Sequence, residues 1–366
     1  MTKEEIKNAL RAAIKKGYHP CYDLESEEEH AVHWMALTMQ EFQQVWHETK
    51  REMEDEKKKE HPFKDLDEIV LEALKLHSSY DLPILDFGTR SRRLVVASGN
   101  ALPTGRIFFK EEDAIFANED QYKSVLQNIQ TDGAVVISAS GSKHAPIIIQ
   151  DLLDAGLDIY LLTCAADSPA AVLLPKDHVY VTKQIKDEPI TYNTSTYLGM
   201  ILAKTKEDPQ KIMHFIINVV EPRLINMACF DAFYLMIRSE FNELREMFVT
   251  KFDELFGPKV TGRCYTLDQT LHAKTVVTSE SELFISFGLK NELFGHENSR
   301  LNIPLFDGAG PAAMIAITYY VIGKIQKHFE PWFKTSAEAY KKLQPELFKI
   351  VGKKVQDFIV YKPQSS

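Results

Sequence analysis

Short aliphatic, β-branched runs, each breaking off in a small polar turn before a helix-like stretch, constrain this chain more than any other feature. Arg93–Ala97 (RLVVA) runs into Ser98-Gly99-Asn100, and Gly133–Ile137 (GAVVI) runs into Ser138-Ala139-Ser140-Gly141-Ser142. Residues 157–163 and 178–182 read as a third and a fourth strand, with helices expected over 119–128 and 145–155. Strands that are apolar on both sides and alternate with helices belong to a parallel sheet covered on both faces. Ligands of such sheets bind at the carboxyl ends of the strands. The polar turns fall at those ends.

The rhythm then repeats. Ala232–Ile237, residues 260–265, Glu282–Phe287 and residues 301–306 read as strands, with helices over 240–256, 268–274 and 310–329. Two half-length units in tandem indicate a pseudo-repeat, and 366 residues are ample for two domains. The expected α/β architecture is two tandem three-layer αβα domains with parallel sheets, at residues 81–190 and 227–330. A helical connector (191–226) joins them, flanked by a helical N-terminal extension (1–80) and a helical tail (331–366). In the extension, Trp34, Leu37, Phe42 and Val45 recur at helical spacing before the charged stretch 50–60. Pro62 breaks that helix, and a shorter amphipathic one is expected over 65–76. His30, His33 and His47 do not form a ligand cluster with a nearby carboxylate, so no metal is expected there.

A net charge of −9 argues against nucleic-acid and anionic-membrane partners, which need a basic face. Apolar runs fall far short of the ~20 residues that span a bilayer, and the charged amino terminus lacks an apolar leader segment. Cys21, Cys164, Cys229 and Cys264 are scattered, without a zinc-like pattern, and are expected to be free thiols in the cytoplasm.

The loop Ser138 to Lys143 combines three hydroxyls, a glycine and a helix start, the components of a phosphate cradle. An ordinary Ser/Gly-rich turn has the same composition, and spacing alone leaves both readings open. The stretch VVISASGSKHAPIIIQDLLDAGLDIYLLTCAADSPAA resembles the signature of SIS (sugar isomerase) domains, in which a strand ends in S-x-S-G and a later strand leads to Ser-Pro. The resemblance implies that Ser138, Ser140, Gly141 and Ser142 bind a phosphate. It also implies a neighbouring loop at Ser98, Gly99 and Ala101, and Thr163 at the third strand end. Ser142, Lys143 and His144 occupy the stretch where Thr, then often Glu, follows S-x-S-G in that family.

The run RSEFNELREMFVTKFDELFGPKVTGRCYTLDQTLHAKTVV resembles the second SIS domain of the isomerase half of glucosamine-6-phosphate synthase. Phosphoglucose and phosphomannose isomerases share this double-SIS architecture. Lys251-Phe252-Asp253-Glu254 matches the family's K-x-x-E, and His272-Ala273 stands where His-Gly is expected. Aldose–ketose isomerisation needs one base to move a proton between C1 and C2 and a second group to open the ring. The resemblance implies Glu254 for the first role, His272 for the second, and Lys251 or Arg238 near the developing oxyanion. On residues alone, Glu254 reads equally as a solvated helix-end carboxylate and His272 as a loop histidine.

The expected function is a phosphosugar or aminosugar-phosphate isomerase without metal or organic cofactor. Its partner would be a small phosphosugar, and its assembly a homodimer with the apolar helix near 310–329 and the N-terminal helices as interface material. The rivals are a non-catalytic phosphosugar sensor and an aminosugar-phosphate deaminase or deglycase. The amino-terminal cysteine nucleophile of a glutaminase is missing, so ammonia transfer from glutamine is not expected.

Overall fold

The computed structural model describes residues 64–189, 191–272 and 278–329, together with residues 4, 7, 8, 10–12, 45, 48, 49 and 52. The amphipathic pattern around Trp34 to Val45, the three amino-terminal histidines and the tail after residue 330 lie outside, or almost wholly outside, that set.

The first sheet has five parallel strands: β1 (Arg93–Ala97), β2 (Ala114–Ala117), β3 (Gly133–Ile137), β4 (Ile159–Thr163) and β5 (Val179–Val181). Their order is β2-β1-β3-β4-β5. Helices α2 (Ala101–Phe108), α3 (Tyr122–Asn128) and α4 (Ala145–Asp154) make the crossovers. The second sheet holds β6 (Ala232–Ile237), β7 (Thr261–Thr266), β8 (Glu282–Phe287) and β9 (Arg300–Ile303), ordered β7-β6-β8-β9 and again parallel. Substituting β6, β7, β8 and β9 for β1, β2, β3 and β4 superimposes the two orders, so the pseudo-repeat is real at the level of topology. The parallel-sheet α/β expectation holds for both units. β2 was absent from the sequence reading because it is a four-residue edge strand, AIFA, with only its last residue buried.

Between the sheets lie α1 (Leu66–Ser78), α5 (Thr194–Thr205), α7 (Arg245–Phe256) and α9 (Pro311–Gln326). Alternate residues of β1 and β3 (Val95, Ala97, Val135, Ile137) and of β6 and β8 (Phe233, Leu235, Ile237, Leu283, Ile285) join these helices in one core. Their neighbours Leu94, Val96, Ala134 and Val136 face the opposite way, against α4 and the Ala170–Leu174 turn. Strands buried on both faces therefore show no polar alternation. The outer face of the second sheet is thinner, a stack of Tyr234 with Phe284 (centroids 4.9 Å) and with Tyr265 (5.4 Å).

Two expectations are corrected. The apolar helix α9 is not interface material: every residue from Ala312 to Gly323 is buried within the chain. An aliphatic helix without a polar face belongs in a core, and α1, α5 and α7 enclose it. Cys164 and Cys264 are free, whereas Cys229 is disulfide-bonded. It is only partly buried, in the loop before β6, where another thiol can approach it.

Candidate phosphate-binding site

β1 and β3 are adjacent, with Ala97 paired to Ile137 at their carboxyl ends. The chain leaves β1 toward β2 on one flank and leaves β3 toward β4 on the other. The two loops diverge and open a crevice, the topological switch point of the sheet. A cavity of about 620 Å³ lies there, and Ser98, Ser138, Ser140 and Ser142 all line it.

The Ser138–Ser142 loop is held from beneath. Thr163 Oγ1 donates to Ala139 O (3.1 Å) and accepts from Ala165 N (3.2 Å). Ala170 N donates to Gly141 O at 2.9 Å. Thr163 thus underpins the loop and does not itself line the cavity. Gly141 has φ +56°, and a Cβ there would lie 2.1 Å from Ser168 Oγ, so both its dihedral and its packing require glycine. Gly99 also has positive φ (+55°), but open space surrounds it.

Above this support, Ser140 Oγ and Ser142 Oγ share a hydrogen bond of 2.7 Å. Lys143 is left-handed (φ +61°) and His144 right-handed (φ −80°, ψ −25°). A left-handed residue followed by a right-handed one turns successive N–H groups toward one point, an anion-binding nest. The N–H groups of Ser140, Lys143 and His144 have no acceptor among the described residues. α4 begins at the next residue, with Pro146 in its first turn where a missing N–H costs nothing. Its dipole adds about 0.3–1 kcal/mol toward an anion. Non-glycine backbone at positive φ is unfavourable by about 1–2 kcal/mol, and Lys143 adopts it at the rim of the cavity.

The remaining polar walls come from residues that motif reading did not single out. Glu119, in the loop after β2, accepts from Ser98 Oγ. Gln184, Asn193 and Tyr197 also line it, the first two from the segment between β5 and α5 and Tyr197 from the first turn of α5. Asn193 is left-handed (φ +48°) and begins α5. The polar run Thr191 to Thr196, rich in helix-capping types, was the available signal.

The second unit's candidate residues do not line this cavity. Arg238 follows β6 and pairs at 2.6 Å with Glu240, half-exposed. His272 is exposed at the end of α8 (Leu267–His272), and Ala273 lies outside the described residues. Lys251 and Glu254 sit one turn apart on α7, with Nζ donating to Glu254 Oε2 at 2.7 Å. Burial raises the Glu254 carboxyl above the usual range, against the attraction of Lys251. Glu254 is close enough to disfavour ionisation of Tyr197, on the cavity wall, and of Tyr319. No group of three or more metal-ligating side chains occurs among the described residues.

No protein-family model matches the chain, and no curated protein matches it by sequence. Solved structures do match its fold. A glucosamine-6-phosphate deaminase from Thermotoga maritima superimposes with TM-score 0.53 at 13% identity, over 71% of this chain and 93% of that one. A candidate phosphosugar isomerase from Clostridium difficile 630 gives TM-score 0.51 at 11% identity, over 80% of this chain and 96% of that one. The likeness is one of fold: two parallel-sheet α/β units in tandem.

Proposed function

We propose that the chain binds a sugar phosphate at the β1/β3 switch point and isomerises it between aldose and ketose through an enediol. The observation that carries this reading is the convergence of Ser98, Ser138, Ser140 and Ser142 with the unbonded N–H groups of Ser140, Lys143 and His144. Four hydroxyls and three N–H groups beside a helix start suit a phosphate dianion. The two solved structures of like fold, described as a phosphosugar isomerase and an aminosugar-phosphate deaminase, lend the same direction.

In this reading Glu254 is the base. A partly buried carboxylate with a raised pKa is nearer the operating pH, which favours proton transfer at carbon. His272 serves ring opening once assembly of two chains brings its exposed side chain to a cavity. Such a homodimer, in the cytoplasm, is part of the proposal, as are the domain limits 81–190 and 227–330. A second reading, a sensor without catalysis, is favoured by one fact: neither Glu254 nor His272 lines the cavity in the single chain. An aminosugar-phosphate deaminase would use the same base on a different bond.

The test is deuterium exchange followed by NMR in D2O, with fructose 6-phosphate, glucose 6-phosphate and glucosamine 6-phosphate. Exchange at C1 or C2 with wild type, lost in Glu254→Gln, is expected. Saturable phosphosugar binding without exchange, lost in Ser140→Ala, would establish the sensor. Ammonia release from glucosamine 6-phosphate would establish the deaminase.

A further inference from the structure

Lys251 is fully buried, and its ammonium is shared between the two units of the fold. Besides Glu254 it donates to Thr191 O and Tyr192 O, each at 2.8 Å. Three donors meet three acceptors, and the ammonium has no N–H left for a ligand. Those carbonyls immediately precede Asn193, which together with Tyr197 walls the cavity. The segment is also fixed from its other side. Glu188 is buried, and its carboxylate accepts from Thr194 N, from Ser195 N (3.1 Å) and from Ser195 Oγ, closing the start of α5.

We propose that Lys251 is a positioning residue that clamps the cavity wall of the first unit to α7 of the second, and sets Glu254 relative to that wall. The inference deepens the isomerase reading in that Glu254 is taken as its base, but the clamp itself does not depend on any reaction. Removing the ammonium unties residues 191 and 192 from α7, and Asn193 loses the support that holds it left-handed. It also leaves Glu254 beside Asp253 without the neighbouring cation, which Glu188 loses as well, with Tyr197 and Tyr319 as further polar groups near Glu254.

The experiment uses the full chain, with amide hydrogen exchange read by mass spectrometry and phosphosugar affinity read by calorimetry. In Lys251→Met, exchange of amides 188–197 is expected to accelerate about tenfold or more, while those of β1 and β3 stay protected. Affinity for fructose 6-phosphate falls by a similar factor. Lys251→Gln keeps two N–H donors without the charge. It leaves exchange of amides 188–197 about threefold faster than in wild type, since one of the three bonds is lost, and shifts the acid limb of C1/C2 deuterium exchange to higher pH, because Glu254 has lost its cation. If Lys251→Met does not fold, Lys251→Gln decides by the same two readings.

Unchanged protection at 188–197 and unchanged affinity in the Lys251 variants would overturn the clamp. If carbon exchange alone were lost, Lys251 would act at the reacting atoms instead. Absence of carbon exchange in wild type would sink the isomerase reading and leave the clamp standing, since amide protection needs no substrate.

Discussion

The two sheets share strand order and differ at their switch points. Beyond β1 and β3 come Ser98 and the Ser138–Ser142 loop, followed by a helix whose start is open to a ligand. Beyond β6 and β8, at the equivalent place, come Arg238 and Gly288. The crossover from β8 to β9 contains no α-helix, only a 3₁₀ turn at Glu297–Ser299. Its polar groups are satisfied internally. Asn291 Oδ1 accepts from Phe294 N (2.9 Å), its amide donates to Phe294 O (2.9 Å), and Asn302 Oδ1 receives Asn291 N (2.8 Å). Arg300 fills the carbonyls of Glu292, Phe294 and Gly295. Leu305 packs where a ligand would approach, within 2.7 Å of a Cβ built on Gly288. The duplicated topology supplies a crevice twice, and loop chemistry gives one of them the hydroxyls and open N–H groups proposed to hold an anion. The second unit instead offers the first its α7, with Lys251 and Glu254.

The sharpest break of this comparison is a pair of glycine substitutions. Gly141→Ala is expected to abolish phosphosugar binding and to destabilise by about 1–3 kcal/mol, through positive φ and the contact with Ser168. Gly288→Ala carries a similar stability penalty, since φ is +69° there, but should leave affinity unchanged. Calorimetry and thermal unfolding of both variants decide it. Equal loss of binding would mean that the second switch point also touches the ligand.

A smaller effect is expected from the hydroxyls. Ser138→Ala and Ser140→Ala each remove a bond to a charged ligand, and affinity should fall about 10- to 100-fold. Ser239→Ala, the counterpart beyond β6, should change it by less than about twofold. A loss at Ser239 comparable to that at Ser140 would place a second anion site in the second unit. Smaller again is Asn291→Ala, which untethers the β8–β9 loop. It should cost about 1–3 kcal/mol in unfolding free energy without altering phosphosugar affinity.

Much of this asymmetry was legible in the residues. RLVVA, GAVVI, AFYLMI and ELFISF are strands at the positions where their composition put them. The S-x-S-G run marks the crevice lined by Ser138, Ser140 and Ser142, because β-branched runs and small polar turns are local signals. What stayed illegible is set by contacts distant in sequence. Nothing local to KFDE says that Lys251 meets carbonyls 59 and 60 residues away. Nor does an aliphatic helix at 311–326 say whether its apolar surface meets this chain or another. Gln184, Asn193 and Tyr197 belong to the site only because α5 runs back beneath the first sheet. Glu119 belongs to it only because the short edge strand β2 ends beside Ser98.

The smallest expected effect tests the opposite edges of the two sheets. At the amino-terminal edge of the first, Asp132 accepts from Ser91 N (2.8 Å), Arg92 N (3.1 Å) and Ser91 Oγ (2.8 Å). These donors hold its carboxyl down at about 2. At the matching edge of the second, Asp231 takes part through its backbone, donating to Ser281 O (3.0 Å) and accepting from Thr261 N (3.1 Å). A carboxyl whose pKa is depressed in the folded state adds stability above its unfolded value, near 3.9, and loses it as pH falls toward the folded value. Asp132→Asn should therefore lower Tm at pH 7, and the gap from wild type should close between about pH 4 and pH 2. Asp231→Asn, which leaves that backbone pairing intact, should leave Tm at pH 7 nearly unchanged. Asp132 is exposed, so the shift at pH 7 will be modest. Thermal unfolding at pH 7, 4 and 2 measures both, and a gap that persists at pH 2 would mean Asp132 acts through the shape of its turn rather than its charge.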